Sequence, residues 1–292
     1  MVESFLQYLR SEKRFSDHTL LAYGNDLHQF SNFLEDQYEM DDLEGVNDKI
    51  VRSWMVQLSD LGLSARSINR KLSTLKSFYR FAKNNGYSGP SPLENVIGPK
   101  QEQRLPEFVE EKEMKNLFSE IEFEDSFSGM RDKLIMDLFY QTGMRLSELR
   151  GLKVQDLNFS QKVLKVLGKR NKERLIPLHD GLIKEIKIYL QKREGKASGD
   201  TNALVIDNKG KMCNEKFVYR KVNSYLSMVT LTTKKSPHII RHTFATHMLN
   251  RGADLNTIKE ILGHANLAAT QVYTHNSIDK LKSIYKQAHP KG

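Results

Sequence analysis

Between Ser236 and Tyr273 the chain reads SPHIIRHTFATHMLNRGADLNTIKEILGHANLAATQVY. It sets His238 and Arg241 three residues apart, His264 just after a glycine, and Tyr273 at the end. Residues at that spacing share a helix face, so a helix here presents His238 and Arg241 together. Arginine is a permanently charged fork of donors suited to phosphate. Histidine hydrogen-bonds and moves protons near neutral pH. A tyrosine hydroxyl can be activated as a nucleophile. Together these types can attack a phosphodiester while cations hold the charge that develops.

Other chemistries fit less well. His238 and His242 have the spacing of a helical metal pair, but Ile239 stands where a zinc peptidase carries its acid. There is no glycine-rich phosphate loop of the GxxxxGK type and no GxGxxG. No dense carboxylate set suggests a two-metal nuclease. The expectation is a site with no metal and no cofactor.

The elements that must position these groups can be read from caps and periodicity. Ser236-Pro237 starts a helix, with serine as cap and proline where no N–H is needed. Ile240, Phe244 and Met248 give it an apolar stripe. Asp254 caps a second helix, with Leu255, Ile258, Ile261 and Leu262 facing inward and Gly263 as its stop. Upstream, residues 110–118 and 129–141 read as helices, and Thr142-Gly143 interrupts the second. Arg145 then falls at a new helix start, where unpaired N–H groups also favour an anion. Glu148, one turn on, could brace a guanidinium or form an ordinary surface ion pair. Residues 162–167 and 174–178 read as a β-hairpin whose tip carries Lys169, Arg170 and Lys172. Such a tip can reach a phosphate or remain a solvated turn. Residues 180–193 and 217–228 read as helices, with an apolar Ala203–Ile206 segment between them. An amphipathic helix at 278–285 either covers its own domain or docks on a neighbour.

The 292 residues suggest two domains, 1–85 and 107–292, joined by a linker at 86–106 that holds four of the seven prolines. The first domain reads as four helices. The fourth carries Arg66, Arg70, Lys71, Lys76, Arg80 and Lys83 and no acid, so its basic face is expected to meet nucleic-acid phosphates. Net charge is +9 but uneven: residues 1–60 hold 5 Lys/Arg against 12 Asp/Glu, and residues 61–100 hold 7 against 1. The opening is amphipathic rather than a signal sequence, and no run approaches the ~20 apolar residues of a membrane span. The lone Cys213 suits a reducing compartment, so a cytoplasmic location is expected.

Four blocks, TGMRLSELRGL, LGKRNKERLIPL, SPHIIRHTFATHMLNRGADL and ILGHANLAATQVYTH, resemble in order and spacing the tyrosine recombinase (lambda-integrase) family, and within it the Xer branch. The opening FLQYLRSEKRFSDHTLLAY shares the likeness. The resemblance implies a mainly α fold with a small β-sheet: an N-terminal helical, SAM-like core-binding domain and a C-terminal catalytic domain. It implies site-specific cutting and rejoining of double-stranded DNA through a 3′-phosphotyrosyl link, without metal or ATP, in chromosome dimer resolution. It casts Arg145 and Arg241 as phosphate clamps, Lys169 as general acid, His238 as proton acceptor or phosphate ligand, His264 as a phosphate ligand, Tyr273 as nucleophile and Glu148 as a supporting acid. Arg170 stands where Xer proteins often have glycine, which stiffens the turn that carries Lys169. The implied assembly is a homo- or hetero-tetramer with a related recombinase, with the 278–288 helix passed to a neighbour and a DNA translocase as a further partner. Integrase of a mobile element, a non-catalytic DNA-binding protein and a type IB-like topoisomerase are the alternatives.

Overall fold

Serine and asparagine caps start three of the four helices of the N-terminal part. In the computed structural model, which describes residues 1–87, 89–101, 107–168, 172–199, 201–263 and 275–291 (of 275–281 the backbone alone), α1 (Val2–Ser11), α2 (Asp17–Tyr38), α3 (Asp48–Asp60) and α4 (Ala65–Asn84) come first. Ser16 Oγ accepts from Thr19 N–H, Asn47 Oδ1 from Lys49 and Ile50 N–H, and Ser64 Oγ from Ser67 N–H. Phe5, Phe30, Trp54, Leu75 and Phe78 form their shared core. The chain divides into two compact units, Met1–Arg104 and Leu105–Gly292.

Much of the proline-rich segment expected to link the domains is bound to the first unit. Leu93 and Val96 are buried in its core. Arg52 donates to the Asn95 carbonyl at 2.8 Å, and Asn69 Nδ2 to the Pro99 carbonyl at 2.8 Å. A side chain at Gly98 would strike Asn69 and Leu72, so glycine lets this extended stretch lie against α4. Proline density stops a helix; it does not prevent packing.

The second unit is built around α6 (Phe127–Thr142), whose residues from Leu134 to Thr142 are all buried. Burial all round marks a helix enclosed by others. Around it stand α5 (Glu111–Ser119), α7 (Leu146–Gly151), α8 (Asp180–Glu194), α9 (Glu215–Val229), α10 (Pro237–Asn250), α11 (Leu255–Leu262) and α12 (His275–Ala288). The sheet is β1-β2-β3, antiparallel, from Leu157–Asn158, Val163–Leu167 and Glu173–Pro177. The hairpin register pairs Val163 with Pro177 and Leu167 with Glu173. The short β1 was not foreseen, because two residues carry no period-2 signal. The 203–206 segment makes isolated bridges, Lys153 to Ala203 and Ile206 to Met212.

The end of α12 takes the first of its two options and covers its own unit. Tyr285 is buried and its hydroxyl donates to the Gln141 carbonyl at 2.7 Å. His289 lies 3.1 Å from the Tyr140 carbonyl, and Lys291 pairs with buried Asp137. Among the described residues no helix is long and apolar enough to cross a membrane.

Candidate active site

A tight helix–turn–helix corner places the first arginine. Gly143 ends α6 in the left-handed region, φ +59°. A Cβ there would also come within 2.6 Å of Leu262 and Phe244. Arg145 follows as the N-cap of α7, and its N–H donates to Glu148 Oε2 at 2.8 Å. Its guanidinium Nη1 donates to Glu148 Oε1 at 2.8 Å. Glu148 therefore does brace Arg145, from a buried position.

The second arginine reaches the same corner from α10. Arg241 is 8% exposed. Its Nη1 donates to the Gly143 carbonyl at 2.7 Å and its Nη2 to the Leu262 carbonyl at 2.8 Å. The carbonyls at the ends of α6 and α11 thus aim Arg241 without cancelling its charge. Burial, and then the nearby Arg145 charge, bring its pKa down to about 10, which leaves it protonated at neutral pH. His238 sits one turn earlier on α10 and is exposed.

A third arginine completes the cluster. Arg174 stands on the inward face of β3 and is 4% exposed. Its Nη1 and Nη2 donate to the two Glu148 oxygens at 3.0 and 2.8 Å. Its Nε donates to the Ile261 carbonyl at 2.6 Å. Burial pushes the Glu148 carboxyl up, but the hydrogen bonds and charge of Arg174, then those of Arg145, outweigh it and hold the pKa at about 2. One acid faces three guanidiniums, so the cluster stays positive. The sequence pattern puts Arg174 in a strand, as observed, and gives it no part in the site. The available signal was position: it alternates with Ile176 on the buried face, and a buried arginine needs partners.

The structure thus brings Arg145, Glu148 and Arg241 together. Lys172 is exposed at the base of the hairpin, where its carbonyl accepts from Gly168 N–H at 2.8 Å. Lys169, Arg170, His264 and Tyr273 lie outside the described residues. In the first unit Arg66, Arg70, Lys76, Arg80 and Lys83 are exposed along α4. Lys71 is a correction: it is buried, donating to Asp26 Oδ1 at 2.9 Å and to Gln29 Oε1. Its acid comes from α2, which the pattern of α4 alone does not reveal. Among the described residues no group of three His, Cys, Asp or Glu side chains is placed to hold a metal ion.

Comparison with known proteins agrees across the whole length. The phage integrase family model matches residues 107–279, and the phage integrase N-terminal SAM-like domain matches residues 2–86. The tyrosine recombinase XerC of Staphylococcus epidermidis is 39% identical over 289 residues, covering 99% of this chain and 97% of the relative. Among solved structures, the XerH site-specific recombinase bound to palindromic difH substrate, in a post-cleavage complex, aligns with a TM-score of 0.74 at 21% identity, covering 99% of this chain and 81% of that one. A lambda integrase tetramer bound to a Holliday junction aligns with a TM-score of 0.68 at 18% identity, covering 97% and 76%. Two helical units, a small sheet, an arginine corner and these matches have one explanation: the chain belongs to the phage integrase family, as a site-specific tyrosine recombinase of the Xer branch.

Proposed function

We propose that this recombinase breaks and rejoins duplex DNA with Tyr273 as nucleophile and the Arg145–Arg241 corner as the phosphate clamp. The tyrosine oxygen bonds to phosphorus and the bond to the 5′-oxygen breaks. A 3′-phosphotyrosyl link and a free 5′-hydroxyl result. The tyrosine proton passes to His238 or is released in the positive field, and Lys169 protonates the leaving oxygen. His264 hydrogen-bonds a non-bridging oxygen. The 5′-hydroxyl of another strand reverses the step. The phosphotyrosyl bond keeps the energy of the broken linkage, so rejoining calls for neither nucleotide nor metal.

The observation that carries this reading is the convergence of Arg145 and Arg241 on the 143–145 corner. Attack adds charge to the non-bridging oxygens, and fixed, partly desolvated guanidiniums stabilise that charge without reorganising. The exposed basic residues of α4, Arg66, Lys76, Arg80 and Lys83, supply a sequence-independent hold on the duplex, while Arg70, though exposed, is paired with Asp26. The XerC name of the relatives supports a role in resolution of chromosome dimers, and the lambda integrase tetramer on a Holliday junction supports action as a tetramer of this chain, or of this chain with a related recombinase; we place this work in the cytoplasm. In that tetramer the 278–288 helix would leave α6 and take an equivalent place on a neighbour.

The test is a duplex carrying a nick next to the cleavage point, so that the short leaving strand diffuses away. Wild type is expected to accumulate a covalent protein–DNA adduct, and Tyr273→Phe none. An adduct formed by Tyr273→Phe removes Tyr273 from its role.

A further inference from the structure

We infer that Arg174 is a positioning residue for the phosphate clamp: it locks Glu148, and through Glu148 sets Arg145, while tying β3 to the end of α11. The inference rests on the reading of Arg145 and Arg241 as the clamp.

The geometry leaves Glu148 little choice. A carboxylate offers about four lone-pair positions. Arg174 takes one on each oxygen, at 3.0 and 2.8 Å. The Arg145 side chain takes another on Oε1 and the Arg145 N–H another on Oε2, both at 2.8 Å. Rotation of Glu148 about its last bond would break the fork with Arg174, and so the orientation of Arg145 is fixed from behind.

Charge points the same way. Glu148 with Arg145 alone would be a neutral pair facing a phosphate. Arg174 offsets the acid, so the charge of Arg145 remains available to substrate. Arg174 differs from Arg241 in its partners: two of its three hydrogen bonds go to Glu148, so its charge is met by the acid, whereas Arg241 is held by neutral carbonyls alone. Lysine could not replace it, since a single ammonium cannot span two carboxylate oxygens and a carbonyl.

The third bond joins this device to the chain that leaves α11. Gly263 caps that helix at φ +67°, and a Cβ there would sit 3.1 Å from Arg174 Cδ. Glycine is thus required by the backbone and by the approach of Arg174. One buried side chain connects α7, which begins beside Arg145, to β3 of the hairpin and to the end of α11.

The experiment measures single-turnover adduct formation on the nicked duplex from pH 4 to 8, and binding to an uncleavable duplex, for wild type, Arg174→Lys, Glu148→Gln and the double variant. Arg174→Lys is expected to slow adduct formation roughly 10- to 100-fold, the range seen when an orienting partner behind a ligand is lost. DNA binding should stay within about threefold of wild type, since the clamp's charge is kept. The acid limb of its pH profile should move up, because Glu148 loses donors that keep it ionised. The double variant should be no slower than Glu148→Gln. A wild-type rate, an unmoved acid limb, additive losses, or a loss of binding that accounts for the loss of rate each overturn the inference. Absence of adduct from wild type overturns instead the clamp reading beneath it.

Discussion

Each unit of this recombinase buries an acid among cations, and the two settings have opposite consequences. In the first unit Asp26, on α2, accepts from both Nη atoms of Arg70, from Lys71 at 2.9 Å and from Thr74 Oγ1 at 2.8 Å. In the second, Glu148 accepts from Arg145 and Arg174, while Arg241 is held by two carbonyls. The first cluster joins α2 to α4 and spends one basic residue of α4, Lys71, inside the protein. The second leaves two positive charges in excess at one corner. Neutral carbonyls make the difference: they aim a guanidinium as an acid would, but leave its charge for a ligand.

The largest effect should come from the group held by carbonyls. Arg241→Ala is expected to lower single-turnover adduct formation ~100- to 1,000-fold, the usual loss when one fixed donor to a developing oxyanion is removed. Its partners are backbone carbonyls at helix ends, so no buried acid is left unpaired. Thermal unfolding should move much less than the rate does. A wild-type cleavage rate for Arg241→Ala would erase the contrast between the two clusters.

The contrast also marks what could be read in advance. The helices were legible because each carries its own signals: Ser16, Asn47, Ser64 and Asp254 as caps, and apolar residues at spacings of three and four. The arginine corner was legible in part, since Gly143 and Arg145 lie two residues apart and Glu148 is one turn on. The partners of Arg174 and Lys71 were not legible, for one shared reason. They lie 26 and 45 residues away in sequence, and periodicity reports burial without reporting what a buried charge meets. Leu93 and Val96 went unread because the prolines around them dominate any local pattern.

The next effect is on stability. Asp26→Asn should weaken the first unit by about 3 kcal/mol, because it leaves Lys71 buried without its counter-charge. The only tryptophan, Trp54, is buried in that unit, so its fluorescence during denaturant unfolding reports the loss. The pH dependence has a definite sign. Burial pushes Asp26 up, but hydrogen bonds from Arg70, Lys71 and Thr74 pull it below the usual 3.8. Its contribution is present above that value and is lost as pH falls through the lowered one. Asp26→Asn should therefore flatten the acid limb of stability. An unchanged limb would mean that the first acid holds nothing together.

The smallest effect separates exposed cations from the buried one. Every cation that stops neutralising a phosphate lowers the slope of log affinity against log salt by about 0.9. Arg66→Ala and Arg80→Ala, both on the exposed side of α4, should each reduce the slope by about that much and weaken binding evenly across DNA sequences. Lys71→Met should leave the slope unchanged while lowering stability, because its ammonium already belongs to Asp26 and Gln29. Filter binding or fluorescence anisotropy at four or more salt concentrations distinguishes the cases. A reduced slope for Lys71→Met would show that the buried ammonium leaves Asp26 when DNA arrives, and the first cluster would then be a reserve of charge like the second.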